Sequence, residues 1–281
     1  MARRRPRLER ERHAERAQED DNGKARQGRV EDTRQAGSSQ AGCAEDAPEA
    51  STEDEGAQRF EVSAWAVLAA AGSGERLGAD RPKAFARLGE QPLLAESLAR
   101  LDSSDWIDAI VVAAPPGWEE PAILLAEELG CGKVSACVTG GVTRTESVRL
   151  GVAEVPGDAA VILVHDAARP LVDDAVVERV VTALGDGWDG AVPALPIADT
   201  VKRVEGERVA ETLRRDELRT VQTPQAFVAD VLRGALATDA DWTDCAAAVE
   251  AGGGRVRIVA GDPRLLKVTD VADLERVGAL L

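Results

Sequence analysis

The stretch Ala66-Val67-Leu68-Ala69-Ala70-Ala71-Gly72-Ser73-Gly74-Glu75-Arg76-Leu77-Gly78-Ala79-Asp80-Arg81-Pro82-Lys83 decides how the rest of the chain is read. It opens as an apolar run of strand length, passes through three glycines within seven positions, and closes on cations around a proline. Glycine lets the backbone turn its N–H groups toward an anion, and Arg76 and Lys83 supply positive charge, so the stretch reads as a phosphate-holding loop. Two common loops are excluded. A Walker A loop needs Gly, four residues, then Gly-Lys-Ser/Thr, whereas five residues separate Gly72 from Gly78 and Ala79 follows. A dinucleotide fingerprint opens a helix at once, but its third glycine would come one residue late here and Pro82 would fall inside the helix. The loop is therefore long enough to wrap a triphosphate. A surface turn with two solvated cations is the alternative on this stretch alone.

Working outward, residues 1–60 are rich in Arg, Glu, Asp, Gln, Ala, Gly and Ser and nearly lack large apolar side chains. Such a stretch cannot offset its ordering entropy by burial and is expected to be a disordered N-terminal extension. Residues 61–281 then form one domain. Short apolar runs (64–70, 109–114, 134–138, 160–164, 190–195 and 255–260) alternate with helical stretches (92–101, 121–129, 144–154, 173–184, 226–236, 244–251 and 270–280). That alternation predicts an α/β fold, doubly wound around a mainly parallel sheet. Residues 198–222 break the rhythm and read as a β-hairpin about Glu205-Gly206-Glu207, polar on both faces. A hairpin with so little to bury needs something to pack on, and a second subunit is the economical choice.

The chain has 281 residues and a formal net charge of −16, which disfavours nucleic acid and membrane surfaces as partners. No run approaches the ~18 apolar residues of a membrane span and no secretory signal is evident, so a cytoplasmic location is expected. Cys43, Cys131, Cys137 and Cys245 show neither disulfide nor zinc spacing, and the last three read as small buried hydrophobes.

Ligands of open α/β sheets bind at the carboxyl ends of the strands. There the chain carries the glycine loop, Thr139-Gly140-Gly141-Val142-Thr143-Arg144-Thr145-Glu146-Ser147, and His165-Asp166-Ala167-Ala168-Arg169-Pro170. The second segment is either an anion-binding helix start or an ordinary one capped by Thr143 and Glu146. In the third, a carboxylate among phosphates suits Mg²⁺ or ribose hydroxyls, with an Asp166–Arg169 salt bridge as the structural alternative. His165 is expected to be a satisfied packing residue. Lys267, with apolar neighbours on both sides, reads as a short strand that aims it inward.

The series Ala70-Ala71-Gly72-Ser73-Gly74-Glu75-Arg76-Leu77, Arg81-Pro82-Lys83, Gly140-Gly141 with Arg144 and Ser147, the 164–170 block, Asp199-Thr200-Val201-Lys202-Arg203, Gln222-Thr223-Pro224-Gln225, Thr243-Asp244 and Lys267-Val268-Thr269 resembles the 2-C-methyl-D-erythritol 4-phosphate cytidylyltransferases. The resemblance runs from about Trp65 to the C-terminus. It implies the nucleotidyltransferase fold, a homodimer whose hairpin arm reaches the partner's site, and Mg²⁺-dependent transfer from CTP to a polyol phosphate in non-mevalonate isoprenoid synthesis. Arg76 and Lys83 would be catalytic. Ala70, Ala71, Gly72, Ser73, Gly74, Gly141 and Ser147 would hold the nucleotide, and Asp166 would serve the ribose and the metal. Arg169, Thr200, Arg215 and Lys267 would hold the polyol phosphate. Val142 stands where some members carry an acidic residue. A ribitol-phosphate cytidylyltransferase and a non-catalytic nucleotide-binding regulator are the competing readings.

Overall fold

The structure, a computed structural model, describes residues 63–74, 77 and 81–281. The expected disorder of residues 1–60 and the placement of Arg76 lie outside the described residues. Chain order runs β1 (Ala64–Ala69), the two-residue strands β2 (Arg87–Leu88) and β3 (Gln91–Pro92), α1 (Leu93–Asp102), β4 (Ala109–Ala114) and α2 (Glu119–Leu129). Next come β5 (Val134–Thr139), α3 (Arg144–Ala153), β6 (Val161–Asp166), α4 (Asp174–Thr182) and β7 (Gly190–Pro196). The chain then forms β8 (Lys202–Glu205), β9 (Arg208–Thr212), β10 (Arg219–Val221), β11 (Gln225–Val228), α5 (Ala229–Leu236), α6 (Cys245–Ala251), β12 (Val256–Ala260) and α7 (Val271–Gly278).

β1 sits between β4 and β6, parallel to both, and β4 carries β5 beyond it. β11 is antiparallel between β6 and β7, β10 runs antiparallel along β7, and β12 lies parallel on β7. In this main sheet only β10 and β11 oppose the common direction. All six residues of β4, Ala-Ile-Val-Val-Ala-Ala, are buried, because helices cover both faces of the sheet. Alternation along β1 sorts the two layers. Leu68 packs with Leu94 and Leu98 of α1 and Val176 of α4, while Val67 packs with Val148 of α3, Leu232 of α5 and Val249 of α6. A smaller cluster of Leu88, Leu93, Leu171, Val268 and Val277 ties α7 to the β2–β3 hairpin. It fixes the loop that carries Lys267.

Three expectations need correction. Residues 226–228, expected to open a helix over 226–236, instead belong to β11, because the slot between β6 and β7 pairs their backbone on both sides. Residues 219–221, expected in the hairpin, leave it and join β7. Lys267 stands on irregular backbone rather than on a strand. The hairpin itself is β8 and β9, antiparallel, with every residue exposed.

Candidate active site

The carboxyl ends of β1, β5 and β6 open on one cleft of about 350 Å³, within the roughly 300–1,000 Å³ usual for small-molecule sites. Its wall on the β1 side is the glycine loop. Ala70 N–H still donates to Ala113 O (2.9 Å), then the chain leaves the sheet and returns where Lys83 N–H meets Gly72 O (3.3 Å). Gly74 adopts φ +75°, and a Cβ there would stand 2.9 Å from Lys83 N, so glycine is required where the two ends of the loop meet. Lys83 begins a 3-10 turn, Lys83–Phe85, and its Nζ donates to Val268 O at 3.2 Å. Phe85 anchors that turn on Trp118, with ring centroids 4.5 Å apart.

The wall beyond β5 is the start of α3. Gly140 lies so close to the glycine loop that a Cβ would stand 2.3 Å from Ala71 Cβ. Thr143 caps the helix, accepting from Glu146 N–H at 3.2 Å, and Glu146 Oε2 accepts Val142 N–H at 2.7 Å. Ser147 Oγ accepts Gly141 N–H at 3.0 Å and donates to Thr143 O at 2.9 Å. The helix-start alternative is therefore realised and still lines the cleft. Ser147 and Glu146 hold the Gly141–Val142 turn in shape.

Beneath the cleft, the end of β6 is a closed network. His165 is fully buried and its Nε2 lies 3.1 Å from Arg169 O. A carbonyl only accepts, so Nε2 carries the proton, and Nδ1 accepts from Thr223 Oγ1 at 3.1 Å. Thr223 Oγ1 in turn accepts Asp166 N–H at 3.1 Å. Burial pushes the imidazole down to about 4, so the ring is neutral. This is the satisfied packing role expected of His165, and it also fixes the backbone of Asp166.

Asp166 is buried, and cations hold both its oxygens. Arg144 Nε is 2.9 Å from Oδ1 and Lys267 Nζ 2.7 Å from Oδ2. Burial alone would raise this carboxyl, but Arg144, followed by Lys267, holds it well below the usual carboxylate range. Burial works against the charge of Arg144 too, and Asp166 more than offsets it. Three cations, Lys83, Arg144 and Lys267, thus line the cleft against one carboxylate. In a chain of net charge −16 this is a local excess of positive charge, which suits a polyanionic ligand.

The cleft brings together Ala70, Ala71, Gly72, Ser73, Lys83, Gly141, Ser147, Asp166 and Lys267. Gly74 belongs to the same loop. Arg169 does not line the cleft. Its Nη1 donates to Leu265 O at 2.6 Å, and burial lowers its pKa, so it clamps the loop that carries Lys267. Thr200 and Arg215 are exposed beside the hairpin, and Arg215 Nη1 donates to Ala198 O. Arg144, Thr223 and the Val268 carbonyl had no assigned role in the sequence reading. An arginine opening a helix that faces a strand-end carboxylate is the signal that could have marked the first. Cys245 is buried as expected, but Cys131 and Cys137 are half-buried.

Residues 64–281 match the model of the family described as 2-C-methyl-D-erythritol 4-phosphate cytidylyltransferase. The chain belongs to this family. A relative of that name in Nocardia farcinica is 45% identical over 217 residues, covering 77% of this chain and 93% of its own. One in Saccharopolyspora erythraea is 45% identical over 225 residues, 78% of this chain and all of the relative. The crystal structure of the enzyme of that name from Thermus thermophilus superposes with a TM-score of 0.62 at 34% identity, covering 76% of this chain and 96% of that one. Family and fold therefore agree with the resemblance read from the sequence, and the mainly parallel sheet around β1 is the scaffold shared with those structures.

Proposed function

We propose that the chain transfers the cytidylyl group of CTP to the phosphate of 2-C-methyl-D-erythritol 4-phosphate, releasing pyrophosphate. The observation that carries this reading is the cationic cleft at the ends of β1, β5 and β6, bounded by the glycine loop. A phosphate oxygen of the polyol substrate attacks the α-phosphorus of CTP, and the bond to the β-phosphate oxygen breaks. No proton has to be abstracted from a phosphate nucleophile, so the work is positioning and neutralisation of charge. Lys83, at the rim of the loop, serves the charge that gathers on the leaving pyrophosphate, together with Arg76. Lys267 leaves Asp166 for the polyol phosphate. Ser147 acts on the nucleotide through the Gly141–Val142 turn it holds, and Arg169 acts through the 265–268 loop.

Among the described residues no group of three or more His, Cys, Asp or Glu could hold a metal ion. Asp166, the carboxylate in the cleft, has both oxygens on cations until Lys267 moves, so the residues present do not fit a metal bound ahead of the substrates. A divalent cation belongs to the reading as the counter-ion of CTP, held by phosphate oxygens and water.

The active form in this reading is a homodimer. Val204 and Val209 of the hairpin are 60% and 54% exposed, and a lone two-stranded hairpin is marginal in water, so a second copy is its natural support. That copy would receive Thr200 and Arg215, which their own cleft leaves aside. This reading places the reaction in the cytoplasm, whose reducing conditions would keep the described cysteines as the free thiols they are.

The test is pyrophosphate release from CTP with methylerythritol phosphate or ribitol phosphate as acceptor. Strong preference for methylerythritol phosphate is expected. Preference for ribitol phosphate would overturn the substrate, and release with neither would leave a nucleotide-binding regulator.

A further inference from the structure

Arg144 lines the cleft, yet nothing in the transfer as described above uses it. It is the first residue of α3, and its guanidinium reaches the end of β6. Nε and Nη2 both stand 2.9 Å from one oxygen of Asp166, Oδ1. The approach of Nη2 is too bent to be a hydrogen bond, and that nitrogen is sealed from solvent. On the far side Nη1 meets the buried Cys245 thiol at 3.7 Å. The fork is therefore held from two directions and cannot swing away.

Lys267 differs. It takes the opposite oxygen, Oδ2, from the end of a flexible stem, and its side chain is 41% exposed against 24% for Arg144. Of the two cations on Asp166, one is fixed and the other is free to exchange.

We propose that Arg144 is a positioning residue for the transfer: it pins Asp166 through Oδ1, so that Oδ2 alone faces the ligands and Lys267 can leave for the polyol phosphate without stranding a buried carboxylate. The role rests on the cleft being the reaction site. A carboxylate this deep needs a counter-charge at every stage. With Arg144 gone, Lys267 becomes that counter-charge and is withheld from the substrate. The polyol phosphate then binds poorly, while CTP, whose phosphates lie along the glycine loop, is little affected.

The experiment is a double-mutant cycle read in steady-state pyrophosphate release. Arg144→Met is expected to raise KM for methylerythritol phosphate at least tenfold, with kcat and KM for CTP within threefold. In an Asp166→Asn background, where Lys267 has no carboxylate to hold it, the same change should add less than twofold. An equal KM increase in both backgrounds would mean that Arg144 acts only by packing α3 against α6, and would overturn the proposal. So would an unchanged KM in the parent. If Arg144→Met does not fold, Arg144→Lys keeps the charge but loses the fork. A KM increase of threefold or more that Asp166→Asn abolishes upholds the role, and an unchanged KM overturns it. Failure of the wild-type protein to release pyrophosphate with the polyol phosphate would instead refute the function itself.

Discussion

Protonation of His165 should make the folded state acid-labile well above the pH at which carboxylates titrate. The ring is fully buried, and its Nδ1 accepts from Thr223, so a second proton has no acceptor to meet. Its pKa is about 4 in the fold, against about 6.5 in an unfolded chain. A lowered histidine pKa means that the unfolded state binds more protons between those values, so stability rises with pH through this window and is lost as pH falls. At pH 5 the loss relative to pH 7.5 is about 2 kcal/mol, growing toward about 3 kcal/mol below pH 4. The figure at pH 5 is set almost wholly by the unfolded-state value. The only other histidine, His13, lies outside the described residues, so the slope is assigned by comparison with a variant at His165. The assay is urea unfolding followed by tryptophan fluorescence at pH 5 to 7.5 and fixed protein concentration, for the wild type and His165→Gln. Glutamine removes the titration, so the variant should be less stable throughout but lack the slope between pH 5 and 7. Parallel slopes for the two proteins would refute the assignment.

Lys83→Ala is expected to lower kcat for pyrophosphate release by about 10²–10³, while KM for CTP rises only a few-fold, because its charge is needed most as pyrophosphate leaves. Matched losses in both would make Lys83 a ground-state contact. Phe227→Ala, which empties a fully buried site between β6 and β7, should cost about 3–5 kcal/mol in denaturant unfolding; a loss under about 1 kcal/mol would mean the sheet centre collapses readily. Replacing 202–212 by a short Gly-Ser linker should give a monomer in sedimentation equilibrium with little activity, and an unchanged dimer mass would remove the arm from the assembly.

The sheet was legible because helices cover both its faces. Strands buried that way write continuous apolar runs, and Ala109–Ala114 occupies the span its sequence predicts. Thr143 is a helix cap readable from its neighbours through Glu146, and it accepts the expected bond from Glu146 N–H; Asp244, expected only to open the helix over 244–251, caps it by accepting from Ala247 N–H. β11 was not legible, since the short apolar run Ala226-Phe227-Val228 suits a first helical turn or a buried strand equally, and its pairing partners lie far off in sequence. The inward aim of Lys267 was anticipated but not its means. Val268 N–H donates to Ala168 O at 2.8 Å and Arg169 grips Leu265 O, two long-range bonds that no local pattern encodes. For the same reason Arg144 was passed over: its partner stands on another strand.

An acidic chain with a cationic cleft should also show an unusual response to salt. Long-range repulsion from a net charge of −16 opposes the approach of CTP, and added salt screens it once the Debye length falls to about 10 Å or less. The cleft cations act at contact distance, where screening is weaker, and Asp166 already shields part of their field. The two effects oppose each other as ionic strength rises. Raising KCl from about 20 to about 150 mM should therefore leave kcat/KM for CTP within about threefold, whereas steering by a protein-wide positive field would make it fall steeply. A tenfold fall in stopped-flow or initial-rate measurements would show that the attraction reaches well beyond the cleft, and that the negative surface plays no part in how the nucleotide arrives.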